Sequence, residues 1–85
     1  MNISKKRQRV LHLLAQGGWL QLEKDDRGKI AAVQCYTRDG WVFAQCEVED
    51  FKALKHRRLI RSVRGEPYRI TRDGLDIVTA RLDQR

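Results

Sequence analysis

The chain has 85 residues and a mass of 10.0 kDa, which is the size of one small domain and excludes two. Apolar residues make up 41% and charged residues 34%, too much hydrophobic content for a disordered tail but little for a free-standing core. The net charge of +7 and the isoelectric point near 10.0 favour polyanions or acidic protein surfaces as partners.

The sequence lacks the features of membrane and secreted proteins. It contains no run of about 18 apolar residues, and its first ten residues, MNISKKRQRV, pass from basic residues into an amphipathic pattern. Cys35 and Cys46 form neither a Cys-x-x-Cys pair nor a disulfide framework, so free thiols are expected. We therefore expect a cytoplasmic protein.

The first predicted element is a helix that begins after Ser4, a suitable N-cap, and ends at Gly17-Gly18. Its apolar stripe is formed by Ile3, Val10, Leu11 and Leu14. Arg7 falls beside that stripe, where we expect only its aliphatic stem to be buried. The opposite face is polar and positive, with Lys5, Arg9, His12 and Gln16.

A three-stranded antiparallel meander is predicted next. Residues 19–23 alternate between apolar and polar, and residues 25–28 (Asp-Asp-Arg-Gly) are typical of a tight turn. The return strand is predicted over 30–36, and a second turn over 37–40 leads into a third strand over 41–44.

A second helix is predicted from Val48 to Arg57, because acidic residues precede basic ones in the order that complements a helix dipole. Val48, Phe51 and Leu54 share its buried stripe. The outward face is basic and carries Lys52, His56 and Arg57.

The last predicted elements are a hairpin and a third helix. Strands over 59–63 and 68–70 flank a turn over 64–67, and Thr71 caps a helix with Leu75, Val78 and Leu82 along its seam. The prediction is a single α+β domain over 1–85 with the order α-β-β-β-α-β-β-α, without a linker or a low-complexity segment.

The C-terminal half resembles a winged-helix domain. The text from Phe51 to Ile60 reads as a helix followed by an apolar pair, and Tyr68-Arg69-Ile70-Thr71 with Gly74 is similar to the stretch that closes the wing and starts the next helix. Three strands occupy the place of the helix that normally precedes the recognition helix. This departure weakens a prediction of base-specific docking.

The positive charge is concentrated between residues 52 and 72. This segment has eight Lys or Arg residues and one acidic residue, Glu66, so its charge equals that of the whole chain. We predict that it carries a contact surface for a protein partner or a nucleic acid. The candidate residues are Lys52, His56, Arg57, Arg61, Arg64 and Arg69; a merely solvated basic surface is the alternative.

Other kinds of site receive little support. No catalytic pattern, phosphate loop or acid/base pair is found, so we expect neither an enzyme nor a cofactor. Cys35, Cys46, His12 and His56 are suitable zinc ligands but lack the short paired spacing of zinc sites, and no metal is expected. Trp19, Tyr36 and Trp41 are expected in the core; base stacking would require paired aromatics on adjacent strands beside basic residues.

The chain as a whole resembles the small bacterial YjhX-like family, toxins of a toxin–antitoxin pair that are also described as topoisomerase I inhibitors. The resemblance is carried by Met1-Asn2-Ile3-Ser4, residues 11–18 (LHLLAQGG), residues 33–36 (VQCY), Phe51-x-x-Leu54-Lys55, Leu59-Ile60-x-Ser62-Val63 and Gly65-x-Pro67-Tyr68-Arg69-Ile70. It implies a non-enzymatic inhibitor that binds DNA topoisomerase I, and an acetyltransferase-like antitoxin as a second partner.

Two alternatives remain from the sequence. The basic C-terminal half is also compatible with a winged-helix DNA-binding regulator. A structural or adaptor domain that forms a homodimer through an edge strand is the third interpretation.

Overall fold

The computed structural model describes residues 4–43 and 46–83, the last four of them by their backbone alone. Eight elements follow one another in the predicted order. They are α1 (Lys5–Ala15), β1 (Trp19–Lys24), β2 (Ile30–Tyr36), β3 (Val42–Phe43), α2 (Val48–His56), β4 (Ile60–Arg61), β5 (Arg69–Ile70) and α3 (Arg72–Asp83). The α+β prediction is confirmed.

Helix α1 begins and ends as its sequence predicts. The Ser4 hydroxyl accepts a hydrogen bond from the backbone N–H of Arg7 at 3.2 Å, which is an N-cap. After Ala15 the chain turns through Gly17, whose φ of +105° favours glycine. A Cβ on Gly18 would collide with the carbonyl oxygen of Tyr36, so this glycine lets the helix end lie directly against β2.

The strands form two small antiparallel sheets that are joined at one point. The first sheet has the order β1-β2-β3, and the second pairs β4 with β5. Leu20 and Tyr68 exchange two backbone hydrogen bonds of 2.8 Å, which attach the hairpin β4–β5 to the free edge of β1. The meander is confirmed, and Ala44 of the predicted third strand lies outside the described residues.

One core lies between the helices and the inner faces of both sheets. It consists of Val10, Leu11, Leu14, Leu20, Val33, Cys35, Cys46, Phe51, Leu54, Leu59 and Ile60. Thus the predicted stripes of α1 and α2 are confirmed where they are described; Ile3 lies outside the described residues.

The predicted seam of α3 is wrong at Leu75, whose side chain is 42% exposed. Val78 packs against the core as predicted, and Ile77 and the buried Gly74 take the inward position that was expected of Leu75. Gly74 is buried so close to the Leu59 carbonyl oxygen and to Ile70 that an added Cβ would lie 2.6 Å from both. This close approach rotates Leu75 out of the interface, while the Leu82 side chain lies outside the described part.

Candidate partner-binding surface

The predicted contact residues of α2 are all exposed. Lys52 and His56 are four residues apart and therefore project from the same side of the helix, and Arg57 follows as the C-cap residue. Helix α2 buries Phe51 and Leu54 on its other side. The apolar stripe thus fixes which side of α2 carries the positive charge.

The hairpin places two of the predicted arginines opposite each other. Arg61 pairs with Arg69 in the β4–β5 register, and residues in such a pair project from the same face of a hairpin. The neighbouring pair, Ile60 and Ile70, faces the core, so Arg61 and Arg69 face solvent. Arg64 is exposed in the connecting turn, where its φ is +56°.

None of these six predicted contact residues forms an ion pair within the described part of the chain. Like charges placed directly opposite each other, as Arg61 and Arg69 are, destabilise a strand pair. The structure therefore brings together Arg61 with Arg69, and Lys52 with His56. Their assignment to a binding site remains a prediction.

The ion pairs of the described residues lie elsewhere, between α1 and the start of α2. The Asp50 carboxylate, 4% exposed, contacts the Lys6 Nζ and the Arg7 Nε, each at 3.1 Å, and accepts the Glu47 backbone N–H at 2.9 Å. Lys6 also lies 3.3 Å from Glu47. We call this group of residues 6, 7, 47 and 50 the Asp50 cluster.

Opposing influences act on the pKa of Asp50. Burial by itself raises this pKa, but the hydrogen bonds from the Glu47 backbone and from Lys6 and Arg7 lower it, and the net direction is downward. The pKa of Lys6 is raised, chiefly by its hydrogen bond to Asp50. The burial of Asp50 was not predicted, although this residue lies four residues before Leu54 on the same side of α2.

An aromatic pair on the outer face of the first sheet was also not foreseen. Trp19 and Tyr36 are register partners, and their rings stack with centroids 5.4 Å apart and planes inclined by 17°. The Arg69 guanidinium lies over the Trp19 ring at 5.6 Å from its centroid. Tyr36 is in turn the register partner of Val42 on β3. We call Arg69, Trp19, Tyr36 and Val42 the outer row.

The outer row lies apart from the core. Tyr68, Phe43 and several aliphatic side chains pack against the core cluster, but Trp19 and Tyr36 are not among them. Trp41, next to the row, is 73% exposed. The expectation that these three aromatics form the core is therefore wrong: Trp41 is exposed, and Trp19 and Tyr36 are half-buried by contacts outside the core cluster. The sequence signal for the Trp19–Tyr36 pair was the predicted hairpin itself. Its two strands have their open ends at residues 19 and 36, which places these two residues opposite each other.

The four candidate zinc ligands occupy different environments. Cys35 and Cys46 are buried free thiols, and burial is the main cause that raises their pKa values to about 11 and about 12. His12 and His56 are exposed. Within residues 4–43 and 46–83 no group of three or more His, Cys, Asp or Glu side chains is placed to hold a metal ion.

A second surface is a largely apolar cleft of about 520 Å³ between α1 and α3. Its apolar lining includes Leu11, Leu13, Phe43, Ile77 and Val78, and Lys5 and His12 also line it.

No helix among the described residues is long and apolar enough to cross a membrane.

Comparison with known proteins identifies relatives along the whole chain. A family model described as "Putative toxin of bacterial toxin-antitoxin pair", the YjhX toxin family, matches residues 1–85. A UPF0386 protein of Parvibaculum lavamentivorans is 58% identical over all of both chains. UPF0386 proteins of Caulobacter vibrioides (56% identical, all of this chain and 93% of the relative) and Agrobacterium fabrum (51%, all of both chains) are similar. No solved structure matches the chain.

Proposed function

Because this chain belongs to the YjhX toxin family, we propose that it is a toxin that inhibits DNA topoisomerase I by binding, without catalysing a reaction itself. Membership of a toxin–antitoxin family implies an antitoxin as one partner. An acetyltransferase-like antitoxin and a site of action in the cytoplasm are parts of the same proposal.

The observation that carries this proposal is the set of exposed cations on α2 and on the hairpin. Lys52, His56 and Arg57 project from the helix, and Arg61, Arg64 and Arg69 project from the hairpin. Because none has an acidic partner among the described residues, their charge is available to another molecule. The Asp50 cluster shows that this chain pairs its cations where they serve the fold.

Electrostatics restricts which surface of the enzyme this basic chain can contact. A topoisomerase binds DNA, so its DNA channel is expected to be positive, and a protein of net charge +7 is repelled there. The contact is therefore assigned to an acidic surface of the enzyme or to the DNA that the enzyme holds. The two cases differ in stoichiometry.

The test is a plasmid relaxation assay with purified topoisomerase I. We expect the native chain to inhibit relaxation, and the triple variant Arg57→Glu, Arg61→Glu, Arg64→Glu to require at least about tenfold more protein, which corresponds to about 1.4 kcal/mol. The matched control is Lys24→Glu, Arg27→Glu, Lys29→Glu, since these exposed cations lie around the β1–β2 turn. Circular dichroism verifies that both variants fold.

The outcomes separate the parts of the proposal. Failure of the native chain to inhibit would reject the function, while equal inhibition by both triple variants would reject only the surface. Inhibition that depends on the amount of enzyme, together with nuclease-resistant co-purification, indicates contact with the enzyme. Inhibition that depends on the amount of DNA indicates the DNA-binding alternative.

A further inference from the structure

The outer row crosses the first sheet as a continuous series of partly exposed side chains. Arg69 covers one face of Trp19 at 5.6 Å, Tyr36 stacks on Trp19 at 5.4 Å, and the register continues from Tyr36 to Val42. Val42 is 57% exposed and much smaller than an aromatic ring. The series of flat groups thus ends at Tyr36, and the next side chain in the row, Val42, is small and exposed.

This arrangement does not contribute to the core, which is built from the opposite face of the sheet. Leu20, Val33 and Cys35 alternate with Trp19, Gln34 and Tyr36 along the strands and are buried. The Tyr36 hydroxyl donates to the Gln34 side-chain oxygen, and the Gln34 amide donates to Glu23 at 3.3 Å. These hydrogen bonds hold the Tyr36 and Gln34 side chains on the outer face of the sheet. A small domain with little hydrophobic content leaves a tryptophan and a tyrosine outside its core.

Two further arginines lie near Arg69, which is itself part of the row. Arg61 lies opposite Arg69, and the Arg69 Nη1 donates to the Gly17 carbonyl oxygen at 3.4 Å. The Arg38 side chain also packs at Gly17, with carbon atoms 3.3 Å from the position of an added Cβ. Within the described part of the chain none of these three arginines has a carboxylate partner. A polyanion would relieve the repulsion between Arg61 and Arg69.

We propose that the outer row binds single-stranded nucleic acid, with an unpaired base extending the stack beside Tyr36 over Val42 and the backbone phosphates contacting Arg38, Arg61 and Arg69. Stacked aromatic side chains next to cations are the usual platform for unpaired bases, because every base offers a flat π face. An acidic peptide would use the arginines but would have no flat group for the rings. This site shares Arg61 and Arg69 with the surface of the proposed function, but it goes beyond that function and does not rest on it.

The test is a fluorescence titration with an oligothymidylate of about 15 nucleotides, a length that one small binding surface can hold. The Trp41→Phe variant leaves Trp19 as the only tryptophan, so a change in its fluorescence reports binding next to its stacking partner Tyr36. We expect a saturable change, with an affinity that falls as salt rises and that is weaker for a duplex of the same length.

One single variant and two variants with matched controls locate the site, with affinity measured by anisotropy of a labelled oligothymidylate. Tyr36→Leu removes a stacking surface, and a loss of about 5- to 100-fold in affinity is expected. Val42→Asp places a carboxylate where the base is proposed to lie and is expected to weaken binding to a similar degree. Its control is Leu75→Asp, which has the same charge change at a similarly exposed residue on α3. The affinity of Arg69→Gln for the oligothymidylate is compared with that of Arg27→Gln. Arg27→Gln is the control, because Arg27 lies at the far end of the β1–β2 hairpin.

Any of four results would overturn the proposal. Three of them are the absence of a saturable change in Trp19 fluorescence, equal affinity for single-stranded and duplex DNA, and equal losses in Val42→Asp and Leu75→Asp. Polyglutamate that binds as tightly as the oligothymidylate would also overturn it and would indicate an acidic protein partner. Since no topoisomerase is present, these results are independent of the relaxation assay.

Discussion

The Asp50 cluster and the hairpin β4–β5 both contain closely spaced cations, but the two regions use them in opposite ways. In the Asp50 cluster, Lys6 and Arg7 contact one buried carboxylate. In the hairpin, Arg61 and Arg69 face each other without an acidic partner in the described part of the chain. The charge of a residue is therefore a poor guide to its role until its neighbours are known.

The difference has a physical basis in burial. A carboxylate that is 4% exposed requires hydrogen bonds and opposite charge, so the cations near it stabilise the fold. Arg61 and Arg69 are exposed on a hairpin, have no buried carboxylate to neutralise, and repel each other. Binding is expected where the cations are unpaired, and loss of stability is expected where they are paired.

The largest expected effect on stability is that of Asp50→Ala. This variant removes the cap of α2 at the Glu47 N–H and leaves Lys6 and Arg7 without their partner, so we expect the free energy of unfolding to fall by about 2 to 3 kcal/mol. Urea denaturation measures it. The control is Glu49→Ala in the same turn, an exposed residue for which less than about 0.5 kcal/mol is expected. Equal losses in the two variants would show that the cluster is not structural.

A smaller effect is expected on the pH dependence of stability. Because the pKa of folded Asp50 is lowered below the unfolded value of about 3.9, its contribution is complete above that value and is lost as the pH falls through the folded pKa. We expect a steeper loss of stability below about pH 4 in the native chain than in Asp50→Asn. Urea denaturation at a series of acidic pH values measures both. Parallel curves would contradict the direction given for this pKa.

The smallest effect is expected in the hairpin and has the opposite sign. Arg61→Glu replaces a like-charged pair across β4 and β5 with an oppositely charged one, so we expect the free energy of unfolding to rise by about 0.2 to 1 kcal/mol. Thermal denaturation at low salt measures this change, and added salt should reduce it. A decrease in stability would mean that Arg61 already has a favourable partner, and the comparison between the two regions would fail.

The sequence predicted those features that depend on neighbours along the chain. Ser4 caps α1, Gly17-Gly18 ends it, and the alternation after Trp19 gives the first sheet, because caps, turns and periodicity are local properties. The exposed face of Lys52, His56 and Arg57 on α2 followed from the helical periodicity. The winged-helix interpretation of the C-terminal half remains a prediction.

Features that depend on distant contacts were missed. Asp50 was interpreted as one of several acids near a helix start. Its ion pair with Arg7 was missed because only the packing of α1 on α2 brings together these two residues, which are 43 positions apart in the chain. Leu75 was predicted in the core. That prediction failed because α3 docks with Gly74 close to Ile70, and this docking depends on contacts between distant parts of the chain.

The sequence by itself determined the size, the order of elements, the family and the location of the positive charge between residues 52 and 72. The tertiary structure decided which cations are paired and which rings meet. Arg69 reaches Trp19 only because Tyr68 joins Leu20 at the edge of β1. Periodicity fixes the face on which a side chain lies, whereas its partner depends on how the faces of different elements pack together.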